Sequence, residues 1–377
     1  MVLTANALSV AAIAISLLLA GCGGSPAATS TTTSGVSPTI TLSTIATGLN
    51  VPWEIRFLPD GTMLVTERPG RLVRVDPAMG SVKEVGSIPV NAVGEGGLMG
   101  LAIDPEFPDE PFVYVSYTVA DAGRPFNRVS RFEIDGAATT TMTLGVERVL
   151  LDGIPGGSIH NGSRVAFGPD GYLWVTTGDA GRPELAQDLA SPAGKVLRMT
   201  RDGAPAPGNP FPASLVYTYG HRNPQGLAFH PVSGEGYVTE HGPATDDEVN
   251  RLVAGMNYGW PEVGGAPGDP RYQDAVIAWT PTIAPAGAVF YQADLLPRFA
   301  GAFLFVTLKG SDLRVLTPQD PSSLLAVAGE DVLLDEELGR MRAIAVGPDG
   351  ALYLATSNRD GRGSPRADDD RIVRVGP

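Results

Sequence analysis

Reactive side chains are few in this sequence, and four histidines stand out: His160, His221, His230 and His241. No two of them form a His-x-x-x-His or His-x-His pair, which speaks against a zinc site. No Gly-x-Ser-x-Gly elbow, second cysteine or Gly-rich phosphate loop is present, so no covalent nucleophile or nucleotide site is signalled. The histidines sit in polar stretches that a strand interior would not choose. His160 opens HNGSRVAFGPDGYLWVTTGD, which ends at Asp179. YGHRNPQG (219–226) and TEHGPATDDE (239–248) hold His221, Arg222, His241 and an acidic run, and NYGWP (257–261) mixes amide and aromatic groups. On chemistry alone such stretches are also what turns look like.

The elements around them are strands. VAF, GPDG and YLWVTTG (165–178) alternate apolar with small or polar residues about a Pro-Asp-Gly reversal. Pro169 presets the first turn angle, and Gly171 can take the left-handed backbone that closes it. His160 and Asp179 therefore fall just off the two ends of a hairpin, where a rigid frame commonly places chemistry. The pattern recurs at Leu58–Glu67, Leu101–Tyr117, Leu227–Glu240, Ala286–Thr307 (more weakly) and Ile344–Thr356. Repeats of this kind, spaced about 45 to 70 residues apart, suit four-stranded propeller blades. Ile40–Ile45 and Arg371–Val375 also read as strands, so the last blade can be closed by the first segment. The expectation is an all-β, six-bladed β-propeller of four-stranded antiparallel blades, with a two-sheet sandwich as the alternative. Only DDEVNRLV (246–253) hints at a helical turn.

Composition agrees with this and narrows the partners. The 47 glycines and 33 prolines are spread without period, as many tight turns require. A net charge of -14 repels nucleic acid and anionic membrane surfaces, so no nucleic-acid partner is expected.

The single cysteine, Cys22, ends LLLAGC after an apolar run from Ala7 to Ala20 that is short for a membrane span. Leu-Ala-Gly-Cys resembles a bacterial lipobox, although no Lys or Arg precedes the apolar run; an ordinary signal peptide is the alternative. The expected organisation is a lipoprotein signal peptide over 1–21, a low-complexity tether over 22–39 and one propeller over 40–377. The protein would then be exported and held at the cell envelope, touching the membrane only through a lipid on Cys22.

Nine pieces, in order, carry a resemblance: GLNVPWEIRFLPDG, VGEGGLMGLAIDPEF, HNGSRVAFGPDG, TGDAGR, GKVLRM, YGHRNPQGLAF, EHGPATDDE, NYGWP and GRMRAIAVGPDG. They run from Gly48 to Gly350 and resemble the soluble quinoprotein glucose/sorbosone dehydrogenases, especially the bacterial aldose sugar dehydrogenases that use pyrroloquinoline quinone (PQQ). The resemblance implies a six-bladed propeller with the quinone across its channel mouth. His160 would be the general base that takes the C1 hydroxyl proton while hydride passes to the quinone, and Asp179 would hold the imidazole. Neutral imidazole suits that task near pH 7. Arg222 would share the catalytic site.

The same resemblance implies the ligand contacts. PQQ carries three carboxylates, and Arg222, Asn223, Gln225, Lys309, Arg340 and Arg342 match cofactor contacts, together with Glu95 and His160. Arg340 and Arg342, two apart on an extended segment, would point the same way, and guanidinium pairs well with carboxylate. A Ca²⁺ ion would bind the backbone carbonyls of Gly242 and Pro243, with Asp247 behind them; hard oxygen ligands are what Ca²⁺ prefers.

Departures surround the substrate. Glu95 and Glu184 stand where glutamines are usual, Ile159 replaces an aspartate, and Val276 replaces a tyrosine upstream of Trp279. Glu95, Glu184 and Trp279 are the expected sugar contacts, and the resemblance to relatives with shortened loops implies an open, promiscuous aldose site. Electrons would pass to an external acceptor such as a quinone, dye or cytochrome. Two other classes compete: a propeller lactonase holding Ca²⁺ by carboxylates, for which the Arg/Lys set has no purpose, and a non-catalytic binding propeller, against which His160, Asp179 and Arg222 speak.

Overall fold

The Pro-Asp-Gly reversal forms a hairpin. In the computed structural model, which describes residues 40–377, Gly162–Phe167 pairs antiparallel with Leu173–Thr177. Gly171 takes φ +76°, its N–H donates to Gly168 O at 2.9 Å, and Asp170 Oδ1 accepts from Tyr172 N at 3.1 Å. Gly61 and Gly350 close equivalent turns at φ +84° and +79°.

Each hairpin grows into a four-stranded antiparallel blade, and there are six among the described residues. From the channel outward, blade 1 is Pro52–Phe57, Met63–Glu67, Arg71–Asp76 and Ser81–Ser87. Blade 2 is Leu98–Ile103, Phe112–Asp121, Arg124–Asp135 and Thr143–Pro155. Blade 3 adds Lys195–Met199 and Val216–Tyr219 to the first hairpin. Blade 4 is Pro224–Phe229, Gly236–Glu240, Asp247–Arg251 and Ile277–Trp279, and blade 5 is Pro285–Phe290, Phe303–Thr307, Leu313–Asp320 and Ser323–Leu333. Blade 6 is Met341–Val346, Leu352–Thr356 and Ile372–Gly376, closed on its outside by Thr41–Ala46, so both ends of the body share one sheet. The inner strands touch in sequence around the ring, and the sixth touches the first.

Two devices recur between blades. The last residue of an inner strand wedges edge-on against an aromatic on the second strand of the blade before: Phe57 on Tyr353, Phe167 on Tyr114, Phe229 on Trp174 and Phe290 on Tyr237, with centroids 4.9–5.5 Å apart. Such pairs stabilise by about 0.5–1.5 kcal/mol beyond the area they bury. A hydroxyl on the second strand donates to the inner strand region of the next blade: Thr66 to Met99 O, Ser116 to Ser163 O, Thr176 to Pro224 O and Thr239 to Ala286 O, at 2.6–2.8 Å. One side chain crosses the channel between the inner strands. Arg164 is buried in an ion pair with Glu54, lies 4.2 Å from the Trp53 ring and donates Nε to Gln225 O at 2.8 Å.

One sequence expectation fails. Residues 247–251 of DDEVNRLV are a strand, the third of blade 4, not a helical turn. The acidic start suggested a helix, but Glu248, Val249 and Asn250 are all buried between strands on both sides. Tertiary pairing overrides so short a local signal.

Candidate active site

Antiparallel order decides where chemistry gathers. The start of every inner strand and the end of every second strand lie on the same face. On that face fall Glu95, His160, Asp179, Arg222, Asn223, Gly242, Pro243, Lys309 and Arg340, each beside one of those strand ends. All six inner strands shift register close to their starts. Such irregularities bend a strand and re-aim side chains at a rim.

His160 is held tightly from three directions. Its φ is +56°, a left-handed conformation that costs a non-glycine residue energy and survives only where the surroundings enforce it. Asn161 closes the preceding loop through Gly157 N at 3.1 Å and Gly157 O at 2.9 Å. Glu95 Oε2 accepts the His160 N–H at 3.0 Å, and Ala180 N donates to His160 O at 3.0 Å. Two glycines make these approaches possible: a Cβ on Gly94 would sit 2.0 Å from Ser158 O, and one on Gly178 would sit 2.0 Å from His160 O. The GEGG and TGD motifs are thereby explained as close backbone contacts around one histidine.

The ring of His160 faces Asp179, with Nδ1 2.7 Å from Oδ1. Asp179 is fully buried, and His160 is 12 % exposed. Gly181 N also donates to Oδ1 at 2.7 Å, and the indole Nε1 of Trp260 donates to Oδ2 at 2.8 Å. Neutral His160 with Nδ1–H toward the carboxylate leaves Nε2 as an acceptor, and that nitrogen has no protein partner among the described residues.

Cations ring the same face. Arg222 lies 5.3 Å from the Trp260 ring and donates Nη1 to His241 O at 3.1 Å; burial lowers its pKa, opposed by Asp179 and Glu240. Arg340 forks onto Asp360 at 2.9 and 2.7 Å, and Arg342 Nη2 comes within 4.0 Å of the same carboxylate, so the two arginines do point together. Arg342 is buried, bonds Gln225 Oε1, and is pushed down to about 9 chiefly by desolvation. Lys309 Nζ donates to Thr282 Oγ1 at 2.7 Å. Lys309, Arg340, Arg362 and Arg366 line a cavity of about 490 Å³, in a chain whose net charge is strongly negative. Burial alone would raise the Glu95 carboxyl, but His241, the His160 N–H, Arg362 and Arg342 hold it below its ordinary range.

A second cavity of about 240 Å³ is lined by Arg222, Glu240, Gly242, Pro243, Glu248 and Trp260. Asp247 shapes its wall: Oδ1 accepts from Gly242 N at 2.7 Å, and Oδ2 accepts from Ile283 N and Ala284 N at 2.6 Å. Neither the Gly242 nor the Pro243 carbonyl accepts a hydrogen bond among the described residues.

The two remaining expected contacts, Glu184 and Trp279, make no side-chain hydrogen bond to His160, Asp179 or the cations among the described residues. Glu184 is exposed on the short 3-10 helix Pro183–Ala186. Trp279 ends the outer strand of blade 4, packs on Phe305 and donates Nε1 to Glu330 at 3.0 Å. Cys22 lies outside the described residues. Sequence reasoning missed Trp260 as a partner of Asp179, and missed Arg362, which pairs with Glu95 Oε1 at 2.9 Å. It also missed Arg68, a half-buried cation beside Asp360. NYGWP and the NRDGR of residues 358–362 held the signal, without a repeat position to mark them.

A six-bladed propeller with a His–Asp pair and a crescent of guanidinium groups at one mouth defines a class of small-molecule enzyme. The comparisons make it specific. A family model described as Glucose / Sorbosone dehydrogenase matches residues 49–366, and the chain belongs to that family. It is 30 % identical over 345 residues to the aldose sugar dehydrogenase YliI of Escherichia coli, covering 86 % of this chain and 91 % of that one. The PQQ-bound aldose sugar dehydrogenase of Streptomyces coelicolor superposes with a TM-score of 0.81 at 40 % identity, over 90 % and 98 % of the two chains. A Thermus thermophilus protein described as an oxidoreductase (glucose dehydrogenase) superposes at 0.82 with 45 % identity, over 89 % and 100 %.

Proposed function

We propose that this protein oxidises aldoses at C1 to the lactone, with PQQ as its bound electron sink and Ca²⁺ beside it. The observation that carries the reading is the His160–Asp179 pair set among cations with unused donors. Arg222 Nε, Asn223 Nδ2 and Arg342 Nε are buried without a hydrogen-bond partner among the described residues. Buried donors of this kind are rare and call for an acceptor. A flat tricarboxylate with carbonyl oxygens fits that donor set, and Lys309 and Arg340 extend it. The free carbonyls of Gly242 and Pro243, held by Asp247, suit a hard cation such as Ca²⁺.

Bound PQQ supplies a two-electron, hydride-accepting centre. The chain's own part is to hold the sugar and move one proton. His160 Nε2 accepts the proton of the C1 hydroxyl as C1 gives up its hydrogen with both electrons. Asp179 fixes the imidazole tautomer and stabilises the imidazolium once it forms. The fixed cations stabilise the negative charge that reduction brings to the site. The electrons then leave to an external acceptor.

Reconstitution tests this directly. Cofactor-free protein should be inactive, and PQQ with Ca²⁺ should restore dye reduction by a panel of aldoses. Activity supported by a nicotinamide cofactor but not by PQQ would sink the assignment. We further propose export and lipidation at Cys22: Cys22→Ser should lose incorporation of labelled palmitate and keep sugar oxidation, and label retained on the variant contradicts this.

A further inference from the structure

The connection between the third and fourth strands of blade 4 does not stay at the rim. It climbs the outer strand of blade 3 as a parallel ribbon. Gly255 N donates to Tyr217 O at 2.8 Å, Tyr258 N to Tyr219 O at 2.9 Å and Trp260 N to Gly220 O at 3.0 Å. Gln187 Nε2 then donates to Trp260 O at 2.6 Å and to Asn257 Oδ1 at 3.0 Å. The loop bearing Gln187 is itself tied down by Lys195, whose buried Nζ donates to the carbonyls of Leu185, Ala186 and Ala193 at 2.7–3.0 Å. The indole is thus delivered to the mouth with little freedom.

It arrives between the two halves of the site. Nε1 donates to Asp179 Oδ2, and the ring lies against the Arg222 guanidinium. Among the described residues, Oδ1 of Asp179 has two donors, His160 Nδ1 and Gly181 N, whereas Oδ2 has the indole N–H alone. A donor that shares the charge of a buried carboxylate weakens its hold on a neighbouring cation. Deleting that donor returns charge to the carboxylate, which then binds an imidazolium more firmly.

We propose that Trp260 is a positioning residue for the oxidation: by capping Asp179 it sets the orientation and the basicity of His160. This rests on the reading of His160 as the base. The other charged groups near the pair are Glu95 with its partner Arg362, Arg222, and the buried His241 and Arg342 that act on Glu95. Trp260→Phe leaves all of them in place and keeps a ring over Arg222, so it isolates the N–H.

The test compares wild type and Trp260→Phe in two ways. The imidazole of His160 is titrated by ¹⁵N NMR in cofactor-free protein, and the pH dependence of kcat/KM is measured with PQQ and Ca²⁺ loaded. The imidazole midpoint and the rising limb of activity should both move to higher pH, by about half to one unit for one lost hydrogen bond to a charged group. PQQ affinity should stay within about threefold, because the ring remains beside Arg222. An unmoved imidazole midpoint overturns the proposal. A moved midpoint with an unmoved activity limb overturns His160 as the base and leaves the Trp260–Asp179–His160 coupling standing. If the variant does not fold, the wild type still decides: the Trp260 indole resonance must titrate with the same midpoint as His160, and an indole blind to that titration overturns the proposal.

Discussion

The two faces of the propeller are made from the same strands and follow different rules. On the face away from the site, the turns after the inner strands repeat one design: Leu58–Gly61, Gly168–Gly171 and Gly347–Gly350 close through the same backbone hydrogen bond at 2.9–3.0 Å. Behind them sit the aromatic wedges, also repeated. On the mouth face the register shifts recur, but no turn design repeats among the described residues. Strands shift register, and His160, Ser163, Ala180 and Asp246 hold positive φ. There the chain is kept in place by individual polar contacts, such as Glu95 to the His160 N–H and Asp247 to the Gly242 loop. One face is specified by backbone geometry and apolar packing, the other by charge and hydrogen bonding, so substitutions on the two should separate activity from stability.

His160→Ala should show that separation most strongly. Losing a general base typically costs about 10²–10⁴ in kcat. The melting temperature and PQQ affinity should fall far less than kcat, because Asp179 keeps Gly181 N and the Trp260 indole as donors and the cations lie elsewhere. Full activity in the variant with PQQ bound would move the base to another residue.

Phe229→Ala should do the opposite on the other face. It removes the wedge against Trp174; because Phe229 is only half-buried, the cost should fall below the about 3–5 kcal/mol of a fully buried phenylalanine. Denaturant unfolding should register the loss while kcat of the folded fraction stays near wild type. Equal losses in stability and kcat would dissolve the distinction between the faces.

The smallest effect concerns pH. Burial first, and then Glu240, push Glu248 up to about 8 from an ordinary 4.5. The folded state therefore holds this proton more tightly than the unfolded chain. Its contribution to stability is complete below about pH 4.5 and is lost as pH rises through about 8. In chelator-treated protein the melting temperature should fall from pH 6 to pH 9, and Glu248→Gln should flatten that fall. The same slope in both proteins would remove Glu248 as its source.

The contrast also explains what the sequence could reveal. The hairpins, the blade number and the closure by Thr41–Ala46 were legible, because Pro-Asp-Gly turns and alternating apolar runs report backbone geometry directly. Outer strands such as Ser323–Leu333 were not, since they are largely exposed and lack an apolar face. His160, Asp179 and the cations were found through motifs bearing a family resemblance. Trp260 escaped because it rides on a long connection with no alternation, and its partner lies 81 residues away. The pairing of Glu95 with Arg362 spans 267 residues and two blades, which no local pattern encodes.

The closing strand has a consequence for how the molecule can be handled. Thr41 pairs with Gly376, and Ala46 runs on toward the first inner strand at the mouth. Residue 41 and the last residues of the chain therefore emerge together on the floor of the propeller, opposite the site. A surface, fusion partner or electrode coupled through the C-terminus would leave the mouth facing outward into solution. The same adjacency would let residue 41 and the C-terminus be joined by a short linker in a chain trimmed of residues 1–40, with new termini opened in a connection between two blades. Such a circular permutant would replace a blade stitched from two distant pieces with six continuous ones.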